Sequence, residues 1–308
     1  MGRESDETNV VVGRGMIHIE EHWLGAKQTH SLNSTPKHQN LISRGGGMEA
    51  DQELVAAWEA LREHWLIPTT GNKPSRHLFY NFLRMTVGPT VRFFLRMRIR
   101  GEHHIPRKGP VILAANHLSH VDPIMVILSS RRTTHYLAKD GHFEKWWTRF
   151  VMKSTGQIET QRESGGLDAL SSAADVLDQG RALGIFPEGT RSKRTEAPYL
   201  LPGKTGVARL AASYPSSVVI PIALLGTRKM MEPQKHKLPR LHRPVTFQSG
   251  EGVTWYQWLI DVNGGNQSVE TLKVLADKEE HDIRSELAGL YRKFTDQLMG
   301  SILALGAP

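Results

Sequence analysis
The run Asn116-His117-Leu118-Ser119-His120-Val121-Asp122-Pro123 gathers titratable side chains directly behind an apolar stretch, Val111-Ile112-Leu113-Ala114-Ala115. Histidine is the side chain best matched to taking a hydroxyl proton near neutral pH. A carboxylate bonded to its ring fixes the tautomer and stabilises the imidazolium. His117 and Asp122 stand five residues apart, a step of about 140° on an ideal helix, so on one helix they would face different ways. A turn from strand into helix lets them converge. Pro123 suits the first helical position, where a missing N–H costs nothing, which makes Asp122 the expected N-cap. Two other readings fit the same residues. Asp122 can simply cap the helix with His117 a turn residue. His117, His120 and Asp122 can instead hold a cation, although the spacing matches no H-E-x-x-H pattern. The chain contains no G-x-S-x-G elbow that would supply a serine nucleophile.

A second polar turn, Phe186-Pro187-Glu188-Gly189-Thr190-Arg191-Ser192, also follows an apolar run, Leu183-Gly184-Ile185-Phe186. In open α/β sheets ligands bind beyond the carboxyl ends of the strands, which is where Arg191 falls. A guanidinium fork matches phosphate oxygens bidentately, and Gly189 lets backbone approach a ligand closely. Lys204, in Pro202-Gly203-Lys204-Thr205-Gly206, is a further phosphate-contact candidate, or else a solvated lysine at a helix start.

The elements that must carry these turns read as alternating strands and helices. Strands are expected from Met97, over Val111–Ala115, His135–Ala138, Gly156–Thr160, Leu183–Phe186 and Val218–Leu225. Helices are expected over Asp51–Trp65, Pro123–Ser130, His142–Thr155, Leu167–Gln179 and Thr205–Ser213, with a last amphipathic helix through Leu287, Leu290, Tyr291, Phe294 and Leu298 after a polar loop, Asp261–Ser268. This alternation indicates an α/β domain. Residues 76–96 read as two short amphipathic helices joined at Gly88-Pro89, a helical hairpin.

The two turns in this order, N-H-x-x-x-x-D and then F-P-E-G-T-R-S about seventy residues on, resemble the glycerolipid acyltransferases, the family of 1-acyl-sn-glycerol-3-phosphate acyltransferase. Gly156-Gln157-Ile158-Glu159-Thr160-Gln161-Arg162 and Val219-Ile220-Pro221-Ile222-Ala223 are similar to two weaker blocks of that family, and Lys139 matches a lysine between the first two. Glu159 and Thr160 depart from the apolar residues the family has there. The resemblance covers residues 76–250. It implies an acyltransferase-type mixed sheet flanked by helices, preceded by the amphipathic hairpin. It implies that His117 and Asp122 are catalytic, and that Arg191, with Lys139, Arg162 and Lys204, holds the phosphate of a lysophosphatidate acceptor on a turn shaped by Glu188, Gly189 and Thr190. The co-substrate is acyl-CoA or acyl carrier protein, with no metal and no cofactor.

Charge placement agrees. The chain has 39 Lys and Arg against 31 Asp and Glu. Residues 73–108 hold nine basic side chains and only Glu102 as an acid, so the whole surplus of +8 sits there. Such a stripe points to nucleic acid, anionic lipid or a phosphorylated substrate. Here Phe79, Phe82, Phe93 and Phe94 are interleaved with Arg84, Arg92 and Arg96, a pattern suited to a helix lying in a membrane interface. No nucleic-acid signature accompanies it. A second basic loop, Arg228 to Arg243, fits CoA phosphates or a membrane surface equally well. The absence of cysteine excludes a thiol nucleophile, a Cys-based zinc site and a disulfide scaffold. No apolar run reaches the ~18 residues of a spanning helix, so a peripheral protein on the cytoplasmic face of the membrane is expected. Residues 1–47 carry no sustained periodicity and are expected to be disordered or, with Met48 as an alternative start, outside the protein. The expected organisation continues with N-terminal helices over 48–100, a catalytic domain over 101–260, and a loop and closing helix over 261–308.

Overall fold
The computed structural model describes residues 51–72, 78–139, 158–160, 166–233, 235 and 238–308. The expectations for residues 1–47, for a helix over His142–Thr155 and for Arg162 lie outside them. Among the described residues, seven strands form one sheet in the order β1-β7-β6-β2-β5-β3-β4. They are β1 (Arg98–Arg100), β2 (Val111–Ala115), β3 (Thr134–Lys139), β4 (Ile158–Thr160), β5 (Ala182–Ile185), β6 (Val218–Leu225) and β7 (Thr246–Ser249). β2 runs parallel to both β5 and β6, and β3 parallel to β5 and β4. β7 runs antiparallel to β6 and parallel to β1. The sheet is mixed, as the resemblance implied. β7 was not anticipated: Thr-Phe-Gln-Ser is too short and too polar to stand out without its neighbours.

All five residues of β2 are buried. A strand covered on both faces reads as a continuous apolar run, as VILAA does. One face is closed by α1 (Gln52–Glu59), α2 (Arg62–Trp65), α5 (Gly166–Asp178), α6 (Gly206–Ser213), α7 (Trp255–Ile260), α8 (Val269–Ala276) and α9 (Glu280–Ala304). Trp58 stacks on Trp65 with ring centroids 5.7 Å apart, and Trp255 meets Trp58, Trp258 and Phe294 within 5.5 Å. Trp58 donates its indole N–H to the Ala212 carbonyl and Trp258 to the Gln297 side chain, whereas the buried Trp255 indole N–H has no hydrogen-bond partner among the described residues. The N-terminal helices therefore belong to the same core as the C-terminal ones.

The other face carries α3 (Leu78–Phe94) and α4 (Asp122–Ser129) against Val111, Leu113, Ile220, Ile222 and Phe247. The expected break at Gly88-Pro89 does not occur, and α3 is one helix with Pro89 inside it. Proline removes a single N–H, whose acceptor would be the Met85 carbonyl. Met85 and Pro89 are both exposed, so the ring sacrifices one backbone bond and no packing. Gly88, Val91 and Leu95 face the sheet side at helical spacing, while Phe82, Met85, Pro89 and Phe93 form the opposite, exposed stripe.

Candidate active site
β2 ends at Ala115, and the next side chain, Asn116, is fully buried. Its amide nitrogen donates to the Leu224 carbonyl at 3.1 Å, and its oxygen accepts from the Leu224 N–H at 2.7 Å. The side chain thus continues the β2–β6 pairing beyond the last strand residue, and it launches His117 from a fixed point.

Asp122 is the first residue of α4 but not its N-cap; Val121 holds that position, and Pro123 follows in the first turn. The carboxylate turns back instead of capping forward. One oxygen, Oδ2, accepts from the backbone N–H groups of Leu118 and Ser119 at 2.6 Å each and lies 3.0 Å from His117 Nδ1. Pro123 has no N–H to compete for it. The side chain of Asp122 is completely buried and that of His117 only 16 % exposed. A buried carboxylate bonded to Nδ1 leaves Nε2 as the nitrogen that can accept a proton. The convergence expected across the strand–helix turn is therefore present.

The second turn braces the first. The Glu188 carboxylate accepts from the His117 N–H at 2.6 Å and, through its other oxygen, from the Leu201 N–H at 2.9 Å. The His117 carbonyl accepts from the Ser192 N–H at 2.9 Å. Burial pushes the Glu188 carboxyl up to about 7, against the pull of those two backbone donors, with the Asp122 charge adding to the rise. Phe186 stacks on the His117 ring at 3.9 Å and 11°, and Tyr136 stacks on Phe186 at 5.2 Å. Tyr136 can lie there because residue 184 is glycine: a Cβ on Gly184 would stand 2.1 Å from the ring. The imidazole thus has an aromatic floor built from β3 and β5.

Gly189 has φ +68°, the left-handed region, and a Cβ on it would meet the Lys204 side chain at 2.9 Å. Lys204 also donates its backbone N–H to the Pro187 carbonyl at 2.8 Å. Its aliphatic stem therefore crosses the same turn that carries Thr190 and Arg191. Arg191 donates to His120 Nε2. Partial burial lowers its guanidinium from the ordinary value, and the Asp122 charge opposes that drop. Arg191 thus stands beside the His117–Asp122 pair, on the turn that the Lys204 side chain crosses at Gly189. His120 is turned to Arg191 and Asp122 Oδ2 lies against three donors, while Asp122 Oδ1 is buried with no hydrogen-bond partner among the described residues. Among the described residues no group of three or more His, Asp or Glu side chains is placed to hold a metal ion.

Lys139 closes β3, next to β5 in the sheet, so its backbone reaches the same sheet end as the two turns. Its side chain and all of Arg162 lie outside the described set. Phe82, Phe93 and Phe94 are 60 %, 79 % and 68 % exposed. Arg96 is exposed at the end of α3, and Arg92 is only half-exposed with its Nε buried, so it is drawn towards the protein. Phe79 and Arg84 lie on α3 with side chains outside the described ones. Asn116, Ser192, Leu201, Tyr136 and the floor residue Phe186 had no role assigned from sequence. Asn116 carried a usable signal, a polar residue closing a run with no solvent-facing alternation.

Residues 96–225 match the family model described as Acyltransferase. The chain is 28% identical over 168 residues to the chloroplastic 1-acyl-sn-glycerol-3-phosphate acyltransferase of Arabidopsis thaliana, covering 51% of this chain and 44% of that protein. It is 29% identical over 135 residues to the 1-acyl-sn-glycerol-3-phosphate acyltransferase of Borreliella burgdorferi, covering 43% and 52%. The chain spans about half the length of these curated relatives. The solved 1-acyl-sn-glycerophosphate acyltransferase PlsC of Thermotoga maritima aligns over 80% of this chain and 94% of that one, at 19% identity and a TM-score of 0.42. Both turns, with the His117–Asp122 pair and Arg191, lie inside the stretch 96–225 that is similar to the acyltransferase family model.

Proposed function
We propose that the protein is a peripheral O-acyltransferase that moves a fatty acyl group from a thioester, acyl-CoA or acyl carrier protein, to the free hydroxyl of lysophosphatidate, giving phosphatidate for phospholipid synthesis. The observation that carries this reading is the meeting of a buried Asp122–His117 pair with the Arg191 turn at the carboxyl ends of neighbouring strands.

His117 Nε2 takes the acceptor hydroxyl proton as its oxygen attacks the thioester carbonyl. Asp122 holds the ring and stabilises the imidazolium. The tetrahedral intermediate collapses, the C–S bond breaks, and the leaving thiolate receives the proton from the imidazolium. The transfer uses no covalent acyl-enzyme, metal or cofactor. The Gly189 N–H is already bonded to the Phe186 carbonyl, so the backbone N–H groups of Thr190 and Arg191 are the donors from this turn for the oxyanion. Arg191, with Lys204, Lys139 and Arg162, holds the acceptor phosphate. The exposed stripe on α3, with Arg84 and Arg96, rests on the cytoplasmic surface of the membrane where the acceptor resides. No described helix is long and apolar enough to cross a membrane.

An acyl-transfer assay on liposomes, crossing acyl-CoA and acyl carrier protein with several lysolipids, tests the reading. Lysophosphatidate should be the best acceptor, and folded His117→Ala should be inactive. Equal use of lysolipids lacking a terminal phosphate would remove Arg191 from its assigned role.

A further inference from the structure
Sheet topology places one more segment at the mouth of the site. The carboxyl ends of β2, β5 and β6 share one edge, where His117 and Arg191 lie. β7 is antiparallel to β6 and starts at that edge, with Thr246 opposite Leu225. β1 starts there too, with Arg98 opposite Thr246. The end of α3 therefore arrives at this edge, and the loop joining β6 to β7 must lie on it, between α3 and the catalytic turn. Contacts agree. Ser119, inside the catalytic turn, donates through Oγ to the Met231 carbonyl at 2.8 Å. Arg228 sits 4.4 Å over the Tyr199 ring on the neighbouring loop.

Between Thr227 and Arg243 there are six Lys and Arg residues and a single acid, Glu232, which is paired with Arg228 and Lys235. Lys229 and Arg243 are exposed, as are two leucines, Leu238 at 79 % and Leu241 at 54 %. Single exposed leucines are ordinary. Two in one cationic loop, on the edge where α3 already exposes Phe93 and Phe94, make one surface with apolar tips inside a basic surround. That combination complements an anionic bilayer, which offers hydrocarbon beneath a layer of phosphates.

We propose that the loop 227–243 is a second membrane anchor. Leu238 and Leu241 enter the interfacial layer, and Lys229, Lys235 and Arg243 meet anionic headgroups. The lipid surface then runs without interruption from α3 to the His117 turn, and an acceptor reaches the base without leaving the bilayer surface. This rests on the membrane-acceptor reading above.

The test is sedimentation of the full chain with phosphatidylcholine vesicles, with and without phosphatidylglycerol. Lys229→Gln/Lys235→Gln/Arg243→Gln should lose about a hundredfold in partitioning onto the anionic vesicles, at roughly fivefold per cation near such a surface. Leu238→Ser/Leu241→Ser should lose roughly tenfold on both kinds of vesicle. Both variants should keep the wild-type acyl-CoA KM on a monomeric short-chain lysophosphatidate. Unchanged partitioning of both variants overturns the proposal. So does a raised acyl-CoA KM with partitioning intact, which would make the loop a donor site. Phe93→Ser/Phe94→Ser separates the two readings. If only that variant is released from vesicles, the loop proposal alone falls; if the wild-type chain does not partition at all, the membrane reading falls with it.

Discussion

The two faces of the sheet are finished differently. On one, Trp58, Trp255, Trp258 and Phe294 are buried almost completely, and helices from both ends of the described chain close over them. On the other, α3 contributes Val91 and Leu95 to the core but turns Phe82, Met85 and Phe93 outward, and Ile124 at the start of α4 is 51 % exposed. Burial of apolar area drives folding, so an apolar stripe left open near the His117 turn does not serve the fold. A contiguous exposed apolar patch marks an interaction surface. The closed face holds the sheet still; in the proposed function the strand ends carry the chemistry and the open face meets the membrane.

This contrast can be broken by asking what kind of damage each region shows. The largest effect is expected at the strand ends. His117→Ala should lower kcat by about 10²–10⁴-fold, the span of general-base catalysis, with the melting temperature unchanged. A parallel loss of stability would mean that the imidazole is a packing group on Phe186. On the closed face Phe294→Ala should show the opposite signature. It should cost about 3–5 kcal/mol in denaturant unfolding, with kcat of the folded fraction retained. Arg191→Ala comes next, raising the lysophosphatidate KM by roughly 10–100-fold, the worth of a charge-assisted hydrogen bond, with a smaller effect on kcat.

Glu188→Gln sharpens the comparison through pH. The folded Glu188 carboxyl sits at about 7, above its unfolded value, because it is buried. A raised carboxyl contributes stability below the unfolded value and loses it as pH rises through about 7. Wild-type stability should therefore carry a decline over that window that Glu188→Gln lacks. The glutamine oxygen can accept from only one of His117 N–H and Leu201 N–H, so kcat should fall as well. The smallest stability effect belongs to the open face: Phe93→Ser should change unfolding by less than about 0.5 kcal/mol while weakening vesicle binding. A large destabilisation there would show that the stripe is core after all.

The two polar turns were legible because their signals are local. A strand-type run, a polar turn and a proline at the start of a helix all fall within a dozen residues, and β2 and β6 appear with the bounds expected of them. Local propensity treats proline as a stop and so predicts a break at Gly88-Pro89, whereas a helix packed through Gly88, Val91 and Leu95 retains its course. Asp122 reads as a cap in the sequence because Pro123 suits the first helical position. Its actual donors, the N–H groups of Leu118 and Ser119, are backbone groups that no residue code reveals.

Sequence alone determined the identities and order of the candidate site residues, the strand–helix alternation and the placement of charge in residues 73–108. Each of these depends on residue type and short spacing. Tertiary structure decided which groups meet. Glu188 clamps the His117 backbone across 71 residues, Asn116 stitches β2 to β6 across 108, and Tyr136 reaches Phe186 only because Gly184 leaves room for its ring. Such contacts depend on strand order and register, and these emerge only when the whole sheet, including the short antiparallel β7, buries its two faces together.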